Sequence, residues 1–411
     1  MIERPAHTHA AGLVPAGRVV HVTADFPDAH QPGKTRAIES LVRMVDDRLD
    51  NEIVSLNRTG TLRGFMGDWA RNPGLPRLRV TDRGLADRVN PVCYDAPPGG
   101  LFHARMLTQL GDWLANRLAG GPRPALLVGH KLTVEGIVVR HAAKLLGLPY
   151  ALSIQGDTDT KILGARPDLR RLFARCFHEA AVVFPFAPWA LTRVEAMLGP
   201  RLGETTILPC PVANDAMIAP RPRGDGLISA FHLQSHRRKN FAALAVASDR
   251  LLGTFPDARL AIVGGGSARD REQCEKISSA HRAIVLEGPR PLADMPGRFN
   301  RAAGFVLASR RESFGLVFVE ALFAGLPVAY PKGWAVDGFV DDLPFALPVD
   351  NRSTDSIADA MIRLVRDESA FKQALAEWQR GNGPDRFRRA TIAGDFAAGL
   401  VRAAASPVKT P

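Results

Sequence analysis

The chain has 411 residues, of which 46% are apolar and 23% are charged. These values are those of an ordinary globular protein and exclude disordered, collagen-like and coiled-coil chains, while the length suits two domains of about 200 residues each. The net charge of +11 suits an anionic partner, which could be nucleic acid, an anionic membrane or a phosphorylated substrate.

Short β-branched apolar runs alternate with helical periods through the first half of the chain. The predicted strands are 19–26, 125–128, 150–154, 181–186 and 205–208, and the predicted helices include 34–45, 104–119 and 134–146. The segment 210–225 then loses this periodicity and is rich in Pro, Asn and Arg. We therefore predict that it is a linker.

The alternation restarts after the linker. The predicted strands are 226–231, 259–263, 283–286, 304–308 and 327–330, and the predicted helices are 240–254, 315–324, 356–366, 369–380 and 390–403. Strands that alternate with helices predict parallel sheets covered on both faces, which is an α/β fold. Two such blocks would place a ligand in the cleft between them, beyond the carboxyl ends of the strands.

The segment 309–331 (SRRESFGLVFVEALFAGLPVAYP) is the most informative, because Glu320 is its only charged residue after Glu312. A lone carboxylate in an apolar helix is costly to bury without a partner. Either Glu320 lies on a solvated edge of the helix, or it accepts hydrogen bonds from the hydroxyls of a ligand. Glu312 lies in the loop before this helix. Gly315 and Leu316 begin the helix, and their free N–H groups would suit a phosphate.

A second basic segment, 232–240 (HLQSHRRKN), follows a predicted strand and begins a helix. Its clustered basic side chains suit a diphosphate, and a solvated loop is the alternative. Gly265 lies in a run of three glycines after the next strand, where a backbone can approach a ligand closely. Arg290 follows the next predicted strand, 283–286.

The pattern around Glu312 and Glu320 resembles the signature of the family 4 retaining glycosyltransferases of the GT-B fold. Seven residues separate the two glutamates, Ser313-Phe314-Gly315 lies between them, and 321–328 (ALFAGLPV) follows. The resemblance covers most of the chain and is strongest over 226–330. It implies two Rossmann-like parallel-sheet domains that face a central cleft. The acceptor-binding domain would span 1–214 and the nucleotide-sugar-binding domain 215–385, with a C-terminal helix within 386–411 that returns to the first domain.

The resemblance also implies roles for individual residues. Glu320 would bind the ribose hydroxyls, Glu312 would face the sugar ring, and Lys239 matches the lysine that the family places at the diphosphate. The family arginine is replaced here by His232, so Arg237, Arg238 and His232 all remain candidates for its role. The implied catalytic residues are Glu312, Lys239 and Arg238, and the donor-binding residues are Glu320, Gly315, Leu316, Ser313, Phe314, Arg237, His232, Gly265 and Arg290.

The acceptor site is expected in the first half, after the predicted strands. The loop 30–35 matches in position an acceptor-facing glycine-rich loop of the family, but Asp28 stands where a phosphate-binding P-loop needs Gly. Gln155 stands where the family often has His. The acceptor-side candidates are His30, Gly33, Lys34, His130, Gln155 and Asp157.

The segment Asp157-Thr158-Asp159 fits the short Asp-x-Asp motif that holds a divalent cation in other glycosyltransferases. We expect a solvated acidic turn here instead, because the second half already supplies basic residues for the diphosphate. No metal and no cofactor apart from the nucleoside diphosphate sugar are therefore expected.

The implied reaction is the transfer of a sugar from a nucleoside diphosphate sugar to a hydroxyl of a saccharide or lipid-linked acceptor, with retention. A metal-independent hexosyltransferase of exopolysaccharide, lipopolysaccharide or glycolipid synthesis would do this. Two alternatives stay open: a GT-B-shaped nucleotide-binding protein without transferase activity, and a nucleotide-sugar epimerase or phosphorylase.

The positive charge leaves two interpretations of equal weight, which are contact with an anionic membrane and simple solubility charge. A nucleic-acid partner is not expected, because no Lys/Arg stripe with interleaved aromatic residues is present. No apolar run reaches the roughly 18 residues of a membrane span, and residues 1–12 do not resemble a signal peptide. The four cysteines form no CxxC pair, so we expect a cytoplasmic location, at the inner face of the membrane if contact is made.

Overall fold

The computed structural model describes residues 17–60, 66, 78–82, 84, 88–97, 100 and 102–408. The first twelve residues, on which the expectation about a signal peptide rests, lie outside them. Among the helices of these described ranges, none combines the length and the apolar character needed to cross a bilayer.

The first sheet is built from strands of the first half of the chain. Its strands are β1 (Val19–Thr23), β2 (Asn51–Thr59), β3 (Arg79–Asp82), β4 (Val89–Asp95), β5 (Leu126–Gly129), β6 (Tyr150–Ile154), β7 (Val182–Pro185) and β8 (Glu204–Thr205). Their order is β3-β4-β2-β1-β5-β6-β7-β8, and every neighbouring pair is parallel except β3 and β4. The chain leaves β1 toward β2 on one side and later returns to β5 on the other. The carboxyl ends of β1 and β5 therefore border the crevice where a parallel sheet usually binds its ligand.

Helices pack against this sheet where the sequence has apolar positions at helical spacing. They are α1 (Ala37–Arg43), α2 (His103–Ala119), α3 (Glu135–Leu146), α4 (Asp157–Ala165), α5 (Arg170–Glu179) and α6 (Pro188–Leu198). The third helix ends where Gly147 adopts the left-handed conformation, with φ +61°, as a helix-terminating glycine does. The predicted helix 34–45 begins later than expected, at Ala37, because Lys34 belongs to the preceding loop.

The second sheet has the strands β9 (Leu227–Ala230), β10 (Leu260–Val263), β11 (Ile284–Gly288), β12 (Gly304–Val306), β13 (Val328–Pro331) and β14 (Ala346–Val349). All are parallel, in the order β11-β10-β9-β12-β13-β14. Its helices are α7 (Phe241–Thr254), α8 (Ala268–Ser278), α9 (Met295–Asn300), α10 (Leu316–Phe323), α11 (Thr354–Arg366) and α12 (Glu368–Arg380).

The last helix, α13 (Arg389–Ala404), packs on the first sheet against β5, β6 and β7. Phe396 on this helix is fully buried, with its ring 5.2 Å from that of Phe184. Arg402 forms an ion pair with Glu204 at 2.6 Å. Helix α13, which follows the second sheet in the chain, thus completes the core of the first domain.

The two domains also contact each other directly through α6 and the segment after β13. The indole N–H of Trp189 donates to the carbonyl of Ala335 at 3.0 Å. The guanidinium of Arg193 lies 3.9 Å from the ring centre of Trp334, within the range of a cation–π contact. These contacts hold the carboxyl edges of the two sheets toward a common cleft.

Candidate active site

The site on the second domain begins at the N-terminus of α10. Gly315 precedes this helix with φ +71°, and a Cβ there would lie 2.7 Å from the Phe318 ring. Only glycine fits without strain at such a position. The N–H groups of Gly315 and Leu316 lie at the first turn of the helix, where backbone donors lack intrahelical partners and can bind an anion.

Glu312 lies just before this turn and is 7% exposed. Its carboxylate accepts a hydrogen bond from the ammonium of Lys239 and one from the hydroxyl of Ser309 at 3.2 Å. The guanidinium of Arg238 lies 3.8 Å from the other carboxylate oxygen. The structure thus brings the three predicted catalytic residues together, although Glu312 is more than 70 positions from Arg238 and Lys239 in the chain.

Hydrogen bonds that the sequence did not reveal join the basic segment 232–240 to the loop that carries Glu312. Asn240 adopts the left-handed conformation, with φ +60°. Its side-chain amide donates to the carbonyl of Asn351 at 2.8 Å, and its Oδ1 accepts from Arg310 at 3.2 Å. The main-chain N–H of Arg310 donates to the carbonyl of Arg238 at 2.8 Å. The positions of Arg238 and Lys239 are therefore set by the loop that carries Glu312.

Arg237 and His232 differ from Arg238 in their surroundings. Both are exposed. The imidazole Nδ1 of His232 accepts a weak hydrogen bond from a main-chain N–H at 3.4 Å, while the guanidinium of Arg237 has no ion pair within the described ranges. Arg238 is therefore the arginine that the structure places beside Lys239.

Glu320 lies in the middle of α10, on a face that is only partly exposed. Within the part of the chain that the structure describes, its carboxylate makes no hydrogen bond or ion pair. Burial raises the pKa of this carboxyl. A carboxylate that is largely removed from water without a partner is unfavourable, and ligand hydroxyls would supply the missing donors.

The glycine run after β10 and the segment after β9 are in contact. A Cβ on Gly264 would lie 1.8 Å from the carbonyl oxygen of Phe231, and the N–H of Leu233 donates to the carbonyl of Gly265 at 2.8 Å. The two loops therefore form one backbone surface next to the basic segment 232–240.

Three other donor-side candidates lie in different environments. Ser313 is partly exposed in the loop before α10. The Phe314 side chain is buried, with its ring 6.0 Å from that of Phe339, so our prediction that it contacts a donor is wrong for the side chain. Arg290 is bound to Glu287 at 3.0 Å, and Glu287 also binds the buried Arg298 at 2.6 Å.

On the first domain, the prediction that His130 contacts the acceptor is wrong, because its side chain is fully buried. Its Nε2 lies 3.0 Å from Nδ1 of His21, and its Nδ1 lies 3.2 Å from the hydroxyl of Ser153. Burial lowers the pKa of His130 well below its usual range and that of His21 to about 4. Both rings are therefore neutral core groups at pH 7.

The loop after β1 is held in place by hydrogen bonds of its own side chains to the first domain. The ammonium of Lys34 donates to Asp28 at 3.0 Å, to the hydroxyl of Ser55 at 3.0 Å and to a main-chain carbonyl at 3.2 Å. All three of its donors are thus used internally, and none is left for an acceptor. Burial of Asp28 opposes its ionisation, but hydrogen bonds from Ser55 and its other neighbours outweigh this and hold its pKa well below the usual range. His30 and Gly33 lie at the more exposed tip of the loop.

Asp157, the first residue of α4, faces the second domain across the cleft. Its Oδ1 lies 3.7 Å from the guanidinium of Arg311 and is buried without a hydrogen-bond partner. Gln155 precedes it and is partly exposed. This Asp–Arg contact was not foreseen, because Arg311 has no signal in the sequence apart from its place beside Glu312.

The expectation of a solvated acidic turn is wrong for Asp159. It is fully buried and accepts hydrogen bonds from the main-chain N–H and the hydroxyl of Thr133 at 3.0 and 2.9 Å. Burial raises its pKa. The side chains of Asp157 and Asp159 therefore lie in different environments. The described ranges contain no group of three side chains arranged to hold a metal ion.

A further polar group at the crevice between β1 and β5 was missed by the sequence analysis. Glu135 is fully buried, its Oε1 accepts from the N–H of Ala24 at 2.7 Å, and its Oε2 has no partner. Lys131 and Asp25 form an ion pair at 2.7 Å beside it. Burial is the main cause that raises the pKa of Glu135 to about 7.

Replacement of Glu135 by glutamine is therefore expected to change how stability depends on pH. A carboxyl with a raised pKa stabilises the folded state while it is protonated, and this stability is lost as the pH rises from about 4.5 through about 7. The full loss would be ~3 kcal/mol at most. The difference in melting temperature between Glu135→Gln and the unmodified protein should grow in favour of the variant from pH 5 to pH 8. Parallel curves for the variant and the unmodified protein would contradict the assignment.

Known proteins resemble the chain in part of its sequence and in its overall fold. Residues 227–367 match the family model described as "Glycosyl transferases group 1". A D-inositol 3-phosphate glycosyltransferase from Corynebacterium jeikeium is 31% identical over 150 residues, which cover 34% of this chain and 36% of that protein. A GDP-mannose-dependent alpha-(1-6)-phosphatidylinositol monomannoside mannosyltransferase from Mycobacterium tuberculosis is 31% identical over 209 residues, 47% of this chain and 48% of that protein. The matched region thus spans between a third and a half of these relatives.

Solved structures match over nearly the whole chain at low identity. Sucrose-phosphate synthase from Thermosynechococcus elongatus has a TM-score of 0.64 at 17% identity and covers 93% of this chain and 98% of that chain. A trehalose-phosphate synthase from Burkholderia xenovorans has a TM-score of 0.64 at 11% identity and covers 94% and 100%. The expected arrangement of two parallel-sheet domains is confirmed. Residues 227–367 are thus similar to the group 1 glycosyl transferases, and the chain as a whole has the GT-B fold.

Proposed function

We propose that the protein transfers a sugar from a nucleoside diphosphate sugar to an acceptor hydroxyl with retention of the anomeric configuration. Glu320 is the observation that carries the donor assignment. Its carboxylate is largely buried and has no partner among the described residues, and it lies on the same helix whose N-terminus is beside Glu312 and Lys239. A ribose diol would satisfy this carboxylate while its diphosphate reaches the helix N-terminus.

The chemistry requires stabilisation of a departing diphosphate. Lys239, Arg238 and the N–H groups of Gly315 and Leu316 would supply positive charge and hydrogen bonds as the bond to the sugar breaks. Basic side chains would do this in place of a divalent cation. Glu312 orients the ammonium of Lys239 and would face the sugar ring. The leaving phosphate can take the proton of the acceptor hydroxyl, so no separate base is required.

The acceptor would bind at the carboxyl edge of the first sheet. The relatives named above act, by their names, on inositol 3-phosphate and on phosphatidylinositol monomannoside. These names support a polyol or lipid-linked acceptor and, of the glycolipid, lipopolysaccharide and exopolysaccharide roles expected from the sequence, favour glycolipid synthesis. Gln155, Asp157 and the tip of the loop with His30 and Gly33 are the acceptor-side candidates that are at least partly exposed.

A thermal-shift series with UDP-, GDP- and ADP-sugars tests the donor site. One nucleotide class should raise the melting temperature, because a ligand at 100 times its Kd adds roughly 2.7 kcal/mol of apparent stability. The shift should be lost in Glu320→Ala, since the ribose hydroxyls then lack their acceptor.

The control is Asp359→Ala, which alters an exposed carboxylate on α11 and should keep the full shift. A folded protein that responds to no nucleotide sugar would overturn the donor assignment. A shift that survives in Glu320→Ala would support the donor assignment but contradict the role of Glu320 in binding the ribose. Donor binding without turnover of any sugar would favour a binding protein over a transferase.

A further inference from the structure

The loop between β12 and α10 contacts both domains through three consecutive residues. Arg310 and Glu312 bind side chains of the basic segment 232–240, within the second domain. Arg311 lies between them and extends toward the first domain instead. Its guanidinium Nε is 3.7 Å from the carboxylate Oδ1 of Asp157, which begins α4. We call Arg311 and Asp157 the cleft pair, because its two members lie on opposite sides of the cleft between the domains.

The members of the cleft pair are close to each other but are not hydrogen bonded. A distance of 3.7 Å is too long for a hydrogen bond, although opposite charges attract each other across it. The side chain of Arg311 is 44% exposed and that of Asp157 is 21% exposed. The Oδ1 atom of Asp157 is nevertheless buried, and it accepts no hydrogen bond within the part of the chain that the structure describes. An approach of the two domains by about 1 Å would therefore let Arg311 donate a charge-assisted hydrogen bond to this oxygen.

A second arginine near Asp157 is already engaged between the domains. Arg193 on α6 donates to the carbonyl of Gly333 at 2.7 Å, and its guanidinium stacks on the ring of Trp334. The charge of Asp157 acts on Arg193 as well. In contrast, Arg311 makes no hydrogen bond and no other ion pair through its side chain among the described residues. Arg311 is therefore the cation beside Asp157 whose position can change as the cleft closes.

We propose that Arg311 is a positioning residue for the sugar transfer, and that its pairing with Asp157 couples closure of the cleft to the placement of Glu312 and Lys239. This inference rests on the function proposed above. Closure of a cleft excludes water and completes the set of reacting groups. Because Arg311 directly precedes Glu312, a hydrogen bond to Asp157 would hold in place the loop whose carboxylate binds the ammonium of Lys239. The cleft pair thereby stabilises the closed state next to the groups that would bind the leaving diphosphate.

Steady-state kinetics test the proposal, with GDP-mannose or UDP-glucose as the donor and inositol 3-phosphate or a mannoside as the acceptor. Arg311→Ala should lower kcat by about fivefold, which is the most that a partly exposed ion pair usually contributes. The KM for the donor should stay within about twofold, because the donor-binding groups are unchanged. Arg311→Lys keeps the positive charge and should regain most of the rate. Asp157→Asn should also be slower, but adding it to Arg311→Ala should cause little further loss, since the two residues act through one contact.

Small-angle X-ray scattering measures closure of the cleft without any reaction. With UDP or GDP added, the unmodified protein should become more compact, and Arg311→Ala should do so to a smaller extent. A nucleotide-sugar thermal shift retained by Arg311→Ala shows that this variant is folded and that its donor site is intact.

The matched control is Arg282→Ala, which removes an exposed arginine just before β11, at the opposite edge of the second sheet. It should keep the full rate and the full degree of closure. The proposal is overturned if Arg311→Ala keeps the full rate, if it closes as far as the unmodified protein, or if the losses of the two single variants multiply in the double variant. If the unmodified protein binds a nucleotide but transfers no sugar, the proposed function fails, while the scattering comparison still decides whether the cleft pair holds the domains together.

Discussion

Sugar transfer by the Lys239→Met variant is expected to be slower by roughly 10²–10³-fold, which is the usual effect of removing one preorganised group that stabilises developing charge. Lys239 is largely buried beside Glu312, where Arg238 is the only other cation within 4 Å of that carboxylate among the described residues. The loss should appear mainly in kcat, because the diphosphate carries more negative charge as the bond to the sugar breaks.

The same substitution leaves the carboxylate of Glu312 with only Arg238 and Ser309 as partners. Breaking a buried ion pair from one side can lower stability by about 3–5 kcal/mol, so slow transfer has to be distinguished from loss of the folded state. The double variant Lys239→Met/Glu312→Gln removes the unpaired charge and should regain stability while its transfer rate stays low.

The rate is measured as release of nucleoside diphosphate from the donor that gives a thermal shift. Lys276→Met, which removes an exposed lysine paired only with an exposed glutamate on α8, is the control and should keep the full rate. If Lys239→Met is folded and transfers sugar at the normal rate, the role of Lys239 at the leaving group is contradicted.

A second large effect is expected for Gly264→Ala. The added Cβ would lie 1.8 Å from the main-chain carbonyl oxygen of Phe231, and a backbone atom cannot move aside as a flexible side chain can. The ends of β9 and β10 must separate to make room, at a loss of about 3 kcal/mol or more. Because these ends border the basic segment 232–240, the nucleotide-sugar thermal shift should fall as well.

Gly253→Ala is the matched control for this prediction. Gly253 lies in α7 with open space where a Cβ would be placed, so alanine should raise stability by about 0.5–1 kcal/mol through its helix propensity. Urea denaturation of the two variants should therefore give changes of opposite sign. Equal stability of Gly264→Ala and the unmodified protein would show that the two loops are not in contact.

The sequence predicted the second sheet better than the first. The predicted strand 259–263 and helix 315–324 correspond to β10 and α10 within one residue at each end, because their residues are apolar except for Arg259 and Glu320 and the turns are marked by glycine. In contrast, β2 was missed because it contains Asn51, Ser55 and Asn57, which are buried and paired with other loops. Helix α8 was missed because Cys274 is its only buried residue. In both cases polar residues hid the periodicity on which the prediction depends.

The donor side of the site was predicted from the sequence better than the acceptor side, for a related reason. A motif within one segment, such as Glu312 to Glu320, fixes its own geometry through a loop and a helix. After β5 the sequence marks a strand end but not the direction of each side chain. His130 points into the core and joins His21, while the next residue, Lys131, joins Asp25 at the crevice. Contacts between distant segments, such as Asp157 with Arg311, have no local pattern that could have predicted them.

The position of α13 has a consequence for the order in which the molecule can fold during synthesis. The ribosome completes the strands of the first sheet long before it makes residues 389–404, yet Phe396 and Leu400 belong to the core of that sheet. The nascent first domain must therefore keep an apolar face uncovered until the second domain has been translated. A chain released before residues 389–404 are made therefore exposes the kind of surface that chaperones recognise.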